Sequence, residues 1–186
     1  MAGVRVRRAL HDDPPLLAAL QRTWWRDAYA DLLPQDVLDM DEARLAEAWT
    51  MQLVGACGLI AEEATHPVGF ALVDPRIAAD GRGSVELLGV VPRWSRRGHG
   101  GRLLVEAARV LREEGAAYGA IWVVESDQSM SAFLAGASWE PSGRRRVLDT
   151  GASSLIEIEY SGTVDLVLDG GPDGEMDPHA AHDHRH

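Results

Sequence analysis

The stretch Arg96-Arg97-Gly98-His99-Gly100-Gly101-Arg102 most constrains what this chain can fold into. It joins a strand-like run, Val85 to Val91, to an amphipathic segment beginning near Gly101, with Leu103, Leu104, Ala107, Ala108 and Leu111 on one helical face. A glycine-rich turn between a strand and a helix exposes the unpaired N–H groups of the first helical turn. The helix dipole favours negative charge there. Glycines let the main chain approach a ligand with no Cβ in the way, and the guanidinium groups of Arg96 and Arg97 match phosphate geometry. The pattern therefore reads as an anion cradle. It is not a nucleotide P-loop, because Arg102-Leu103 stands where Lys and Ser or Thr are needed. It is not the dinucleotide fingerprint either, because Leu103 takes the place of the third glycine. A plain turn with solvated arginines stays open on these residues alone.

Length and composition narrow the classes around that loop. The chain has 186 residues, 46% hydrophobic and 25% charged, which suits one soluble domain with a real core. No apolar run approaches the roughly 20 residues that span a bilayer, so no membrane partner is expected. Met1 to Leu10 is arginine-rich without a following apolar stretch, so it does not read as a signal peptide. The net charge of −11 argues against nucleic acid as a partner. The lone cysteine, Cys57, excludes an internal disulfide and fits a reducing, cytoplasmic setting. With no histidine near it in sequence, Cys57 reads as a small packing residue rather than a nucleophile.

Periodicity divides the chain into alternating strands and helices. Val4 to Arg8 is the first strand, followed by a helix opened by Asp13-Pro14-Pro15 and broken near Leu33-Pro34. Asp41 to Met51 is a second helix, and Leu59 to Glu63 and Val68 to Val73 form a hairpin. After the loop and its helix, Ala120 to Val124 reads as a central strand, Ser129 to Ala135 as a short helix, and Arg144 to Leu148 and Leu155 to Tyr160 as closing strands. The expected fold is mixed α/β on one sheet, in the order β-α-α-β-β-β-α-β-α-β-β. Residues 1–161 form the expected domain and 162–186 an acidic, histidine-containing tail, in which Val164, Leu166 and Leu168 could add an edge strand. His179, His182, His184 and His186 lack an evident supporting shell, so no metal site is expected there.

At this point a family resemblance is legible. Leu88-Gly89-Val90-Val91-Pro92 with Arg96 to Leu104 resembles the acyl-CoA-binding motif of the GNAT N-acetyltransferase superfamily. Trp122-Val123-Val124-Glu125 and Phe133 to Pro141 are similar to the family's next strand, helix and Ala-Gly-Phe turn, and Trp25 to Tyr29 with Leu32-Leu33-Pro34 resembles a branch acting on small amines or amino acids. The resemblance spans roughly Val4 to Tyr160. It implies acetyl-CoA as co-substrate and a small-molecule amine as acceptor, and, since relatives are often dimers, a homodimer. It implies that the backbone of Arg96, Arg97, Gly98, His99, Gly100, Gly101 and Arg102 holds the pyrophosphate. It further implies that Leu88, Gly89 and Val90 pair with the pantetheine arm across a bulge, with Gly89 as the bulge residue. Asp127 stands where many relatives use Asn against the cofactor, and Ser95 where the motif prefers Gln or Arg.

For chemistry, the resemblance points to a base on the strand before the loop. Glu86 is the only acid there, and strict alternation places it on one face with Ser84, Leu88 and Val90. A rim acid paired with an arginine is the competing reading, and Glu125 is the second candidate base. Leu134 occupies the place of the tyrosine that many relatives use as general acid. Tyr29 and Asp31 are the expected acceptor-pocket residues, with Trp24 read as packing. The family reading is thus an N-acetyltransferase; a CoA-binding sensor or partner module with weak catalysis remains the alternative.

Overall fold

The computed structural model describes residues 3–149 and 154–168, and it builds one seven-stranded sheet in the order β1-β2-β3-β4-β5-β7-β6. The strands are β1 (Val4–Arg8), β2 (Cys57–Glu63), β3 (His66–Asp74), β4 (Arg82–Val90), β5 (Tyr118–Val124), β6 (Glu140–Asp149) and β7 (Ser154–Gly162). All neighbours are antiparallel except β4 and β5, which the intervening helix α4 (His99–Glu113) carries round into parallel pairing. Helices α1 (Pro14–Ala28) and α3 (Glu42–Gln52) cover one face, and α4 covers the other. The element order agrees with the expected mixed α/β fold, with one addition. Gln35–Leu38, read in sequence as part of a break, forms a short helix, α2, because Pro34 sits at its N-cap and sends Leu38 into the core.

Apolar spacing explains the two layers. Leu103, Leu104, Ala107, Ala108 and Leu111 of α4 pack on Leu59, Ala71, Val73, Val85 and Leu88. On the opposite face, Leu17, Leu20 and Trp24 of α1 and Leu45 and Trp49 of α3 enclose Ile60, Phe70 and Leu72. The strands of the middle are buried on both faces, which is why they read as unbroken apolar runs. At the rim, β6 is exposed along its whole length. Its Arg145 and Arg146 are ion-paired to Glu125 and Glu157, charges that discourage edge-to-edge pairing.

Two expectations about the chain's second half need correction. Val164, Leu166 and Leu168 add no strand; Val164 is buried and Leu166 packs against the same core as α4, so the packed part of the chain runs beyond residue 161. Helix α4 starts at His99, two residues earlier than its apolar periodicity suggested, because Gly98 at φ +80° supplies a left-handed N-cap. The four tail histidines lie outside the described residues. No helix among the described residues is long and apolar enough to cross a membrane.

Candidate active site

The sheet is closed at one end and open at the other. β4 and β5 pair from Arg82↔Tyr118 to Val85↔Ile121 and then part, leaving Glu86 to Val90 without a strand partner on that side. β5 continues against β7 as far as Val124↔Glu157. The result is a wedge between the outer halves of β4 and β5, with the N-terminus of α4 at its rim.

The bulge that accompanies this parting sits at Glu86, not at Gly89. Against β3 the register runs Leu72↔Leu87 and then Val73↔Val85, so Glu86 is the inserted residue. Gly89 pairs regularly with Phe70, and its role is clearance: a Cβ there would lie 2.8 Å from the Trp24 ring. The bulge also breaks strict alternation. Val85, Leu88 and Val90 face the α4 core, whereas Glu86 turns the other way with Ser84, whose hydroxyl donates to Glu86 Oε1 at 2.5 Å. Glu86 therefore does not share a face with Leu88 and Val90, because one inserted residue shifts everything beyond it by half a period. It is exposed, and its hydrogen-bond partner is a serine rather than an arginine. Glu125 is also exposed but is neutralised by Arg145 at 2.9 Å.

At the rim, Gly98 caps α4 with no side-chain hydrogen bond, and the first amide used inside the helix is that of Arg102, which donates to the Gly98 carbonyl at 3.1 Å. The amides of His99, Gly100 and Gly101 precede it and are the ones left for an anion, so the Arg102 amide drops out of the cradle. The His99 side chain also drops out. It is buried at 1% exposure and its Nε2 lies 2.8 Å from Glu63 Oε2, an anchor that ties the helix start to β2. Arg97 shares the same carboxylate at 3.2 Å and stacks 4.8 Å from the Trp94 ring centroid. Arg96, at φ +60°, stands exposed. Glycine at position 100 leaves room for Phe133 of α5 (Gln128–Gly136), whose ring would lie 3.3 Å from a Cβ. An uncapped helix start, free amides and flanking arginines fit the diphosphate of an acyl-CoA.

The wedge is bridged by one interaction that the sequence did not foretell. Tyr29, at the C-cap of α1, donates its hydroxyl to Asp127 Oδ2, although the resemblance places one beside the acceptor and the other beside the cofactor. Asp127 is also the N-cap of α5, its Oδ1 accepting from the Met130 amide. The Tyr29 ring packs edge-on against Trp24 at 4.6 Å, and Trp24 lies on Gly89. A continuous line of contact thus runs from β4 through Trp24 and Tyr29 to Asp127, in the turn between β5 and α5. Burial and the hydrogen bond to Asp127 hold the Tyr29 phenol far above its ordinary value, so it stays protonated at any working pH. Asp31 stands exposed in the following turn, apart from that pair. Leu134 is fully buried in the α4 core and carries no proton to give.

A concavity of about 660 Å³ opens at the other end of α4, lined by Arg8, Leu10, His11, Leu53, Cys57 and Glu114 among others, and contains no residue of the loop or wedge. The Cys57 thiol there is pushed up by burial, which suits packing better than nucleophilic attack.

Comparison with known proteins accords with this geometry. The acetyltransferase (GNAT) family model matches residues 17–135. A probable N-acetyltransferase of Mycobacterium tuberculosis is 28% identical over 148 residues, covering 77% of this chain and 83% of that one. Among solved structures, the PaiA N-acetyltransferase of Thermoplasma acidophilum in complex with coenzyme A superposes with a TM-score of 0.63 at 19% identity, covering 84% of this chain and 98% of that one. The putative acetyltransferase YncA of Salmonella typhimurium with acetyl-CoA superposes with a TM-score of 0.62 at 18% identity, covering 92% and 98%. With the loop, the bulged strand and the parted sheet in place, the chain belongs to the GNAT family of acetyltransferases, enzymes whose acetyl donor is acetyl-CoA.

Proposed function

We propose that this chain transfers an acetyl group directly from acetyl-CoA to a primary amine of a small, amino-acid-like molecule. The observation that carries the reading is the uncapped N-terminus of α4 standing at the rim of the β4–β5 wedge. Acetyl-CoA supplies the acetyl group and a thiolate leaving group. The amides of His99, Gly100 and Gly101 bind the diphosphate, with Arg96 and Arg97 adding charge. The strand-free backbone of Leu88, Gly89 and Val90 orients the pantetheine arm. Glu86, exposed at the bulge and held by Ser84, takes the proton that the amine loses as its nitrogen attacks. The Tyr29–Asp127 pair forms a fixed wall between the acceptor and cofactor sides, so both act by positioning.

Release of free thiol from acetyl-CoA across a panel of amines and amino acids tests the activity; turnover with a subset is expected. Glu86→Gln should lower kcat by about 100-fold or more with little change in KM for acetyl-CoA. An unchanged kcat would remove Glu86 from the chemistry. Tyr29→Phe should raise KM for acetyl-CoA several-fold and lower stability by about 1 kcal/mol, since the half-buried carboxylate of Asp127 loses its donor. A variant with wild-type KM and melting temperature would show the bridge to be incidental.

A second reading is favoured by Leu134, aliphatic and fully buried where the family resemblance would place the tyrosine that many members use as general acid. In that reading the chain binds CoA as a sensor or partner module with weak catalysis. Binding of CoA by calorimetry together with no thiol release from any amine is its signature.

A further inference from the structure

One face of the sheet changes character halfway across. Over β2, β3 and β4 it is apolar, with Ile60, Phe70, Leu72 and Leu87 packed under α1 and α3. Val124 of β5 belongs to the same layer, and alternation puts Trp122 on that face with it. There the face turns polar. Val124 pairs with Glu157 of β7, and Glu157 pairs with Arg146 of β6, so these side chains share the face with Trp122. Arg146 lays its guanidinium 4.5 Å from the Trp122 ring centroid and donates from Nε to Glu157 Oε2 at 2.6 Å. Trp122 follows Ile121, the last residue of β5 paired with β4, and is level with Glu86, which follows Val85. Glu157 is buried, and its charge acts on the Tyr29 phenol, which sets the group beside the Tyr29–Asp127 bridge.

Two groups on this face are left with unmet charge. Arg82 is paired with Glu159 at 2.6 Å, and Arg76 with Asp74 at 2.6 Å. Glu86, bonded by Ser84, has no ion pair among the described residues, and the Nη atoms of Arg146 donate no hydrogen bond among them. In strand order Trp122 lies between the two, so a carboxylate without a cation and a guanidinium with open donors flank one indole ring where the wedge begins. A purely cationic ligand would meet the guanidinium, and a purely anionic one would meet Glu86. A zwitterion satisfies both. The step from β4 to β5 is about 4.8 Å while the strands pair and widens as they part, a span that an α-amino acid bridges with a hydrogen bond at each end. We propose that the acceptor is a free amino acid whose carboxylate is held by Arg146 over Trp122 while its amine meets Glu86. Glu157 is then a positioning residue: it takes Nε and leaves the Nη pair as the fork that a carboxylate accepts. The proposal rests on the acetyl-transfer reading and on Glu86 as the group that receives the proton of the amine.

The test measures acetyl transfer by the full chain, at saturating acetyl-CoA, to the common L-amino acids, each beside its carboxamide. The native chain should favour the free acid by about tenfold or more in kcat/KM, the effect of one hydrogen-bonded charge pair. The amine of a carboxamide is the weaker base and is more often neutral, so the protonation of the amine cannot produce that preference. Arg146→Gln should remove most of it. Arg146→Lys still pairs with Glu157 and should recover only part, because an ammonium attracts a carboxylate without the fork. Arg145→Gln, next along the same strand, should keep the native preference. A native chain with no preference overturns the proposal, as does a preference that survives in Arg146→Gln or is lost equally in Arg145→Gln. Where Arg146→Gln does not fold, Arg146→Lys decides: a several-fold loss of preference supports the fork, and an undiminished preference overturns it. Calorimetry of the same amino acids on the CoA-loaded protein keeps the two readings apart. Binding that depends on Arg146 without turnover refutes acetyl transfer to amino acids and leaves Arg146 as a carboxylate site. Turnover of amines with no gain from a carboxylate supports acetyl transfer and removes Arg146 from recognition.

Discussion

Replacing Gly100 with aspartate is expected to abolish CoA binding while leaving the fold intact. Gly100 is the second residue of α4, one of three whose amides are not used by the helix. With the diphosphate on those amides, as proposed, a carboxylate at position 100 would stand close to it. Repulsion between unit charges about 4 Å apart near a protein surface is worth roughly 4 kcal/mol. A lost hydrogen bond to a charged group adds about 1.5–3 kcal/mol. Even half of that sum weakens binding by more than about 100-fold. The same aspartate suits the helix, because an acid in the first turn complements the dipole by about 0.3–1 kcal/mol. Its Cβ meets only the edge of the Phe133 ring at 3.3 Å, and Phe133 is half-buried on a short helix and has room to shift. Calorimetry with CoA beside a thermal melt separates the effects: affinity should collapse while the melting temperature holds or rises. Unchanged affinity in a folded variant would move the diphosphate elsewhere.

Trp139→Ala is expected to be the most destabilising single change in the protein. Trp139 is 0% exposed and sits between α4, β5 and β7. Gly119 and Gly162 make way for its ring, for a Cβ at those positions would lie 2.6 Å and 2.2 Å from it. Its Nε1 donates to the carbonyl of Thr163 at 3.2 Å, which fixes the point where the chain leaves the sheet and turns along α4. Truncating a buried tryptophan costs about 3–5 kcal/mol, against a total stability of roughly 5–15 kcal/mol. For a chain of this size the melting temperature should fall by roughly 10 °C or more. Gly162→Ala should produce a comparable loss from the opposite partner, because the clash is with a rigid ring. Urea unfolding measures both, and a loss below about 1 kcal/mol in Trp139→Ala would show that the site collapses around the hole.

The two variants probe parts of the protein that were unequally legible in the sequence. The loop reads as an anion cradle from the sequence because its information is local: glycines, arginines and a helix start within one short window, and the helix does start there. The fold class was legible for a similar reason, since apolar period and turn residues recur along the chain. Tyr29 and Asp127 both stand out in the sequence, but not as partners, because a hydrogen bond across 98 positions leaves no trace in spacing. The family resemblance and a glycine point to a bulge at Gly89, yet it lies at Glu86. A bulge is set by the register between two strands, and register depends on both. His99 looked like part of the cradle; its side chain turns inward because Glu63, on another strand, is there to receive it.

The sequence by itself determined which local structures could form and where a diphosphate could be held, because backbone amides and glycine conformations are properties of short segments. Only the tertiary structure decided what faces the wedge. It kept Glu86 with Ser84 but turned Leu88 and Val90 to the other face, buried Leu134, joined Tyr29 to Asp127 and returned residues 163–168 along α4 as far as Gly101. Those outcomes depend on strand register and on the packing of elements far apart in the chain, where one inserted residue or one paired carboxylate redirects every side chain beyond it.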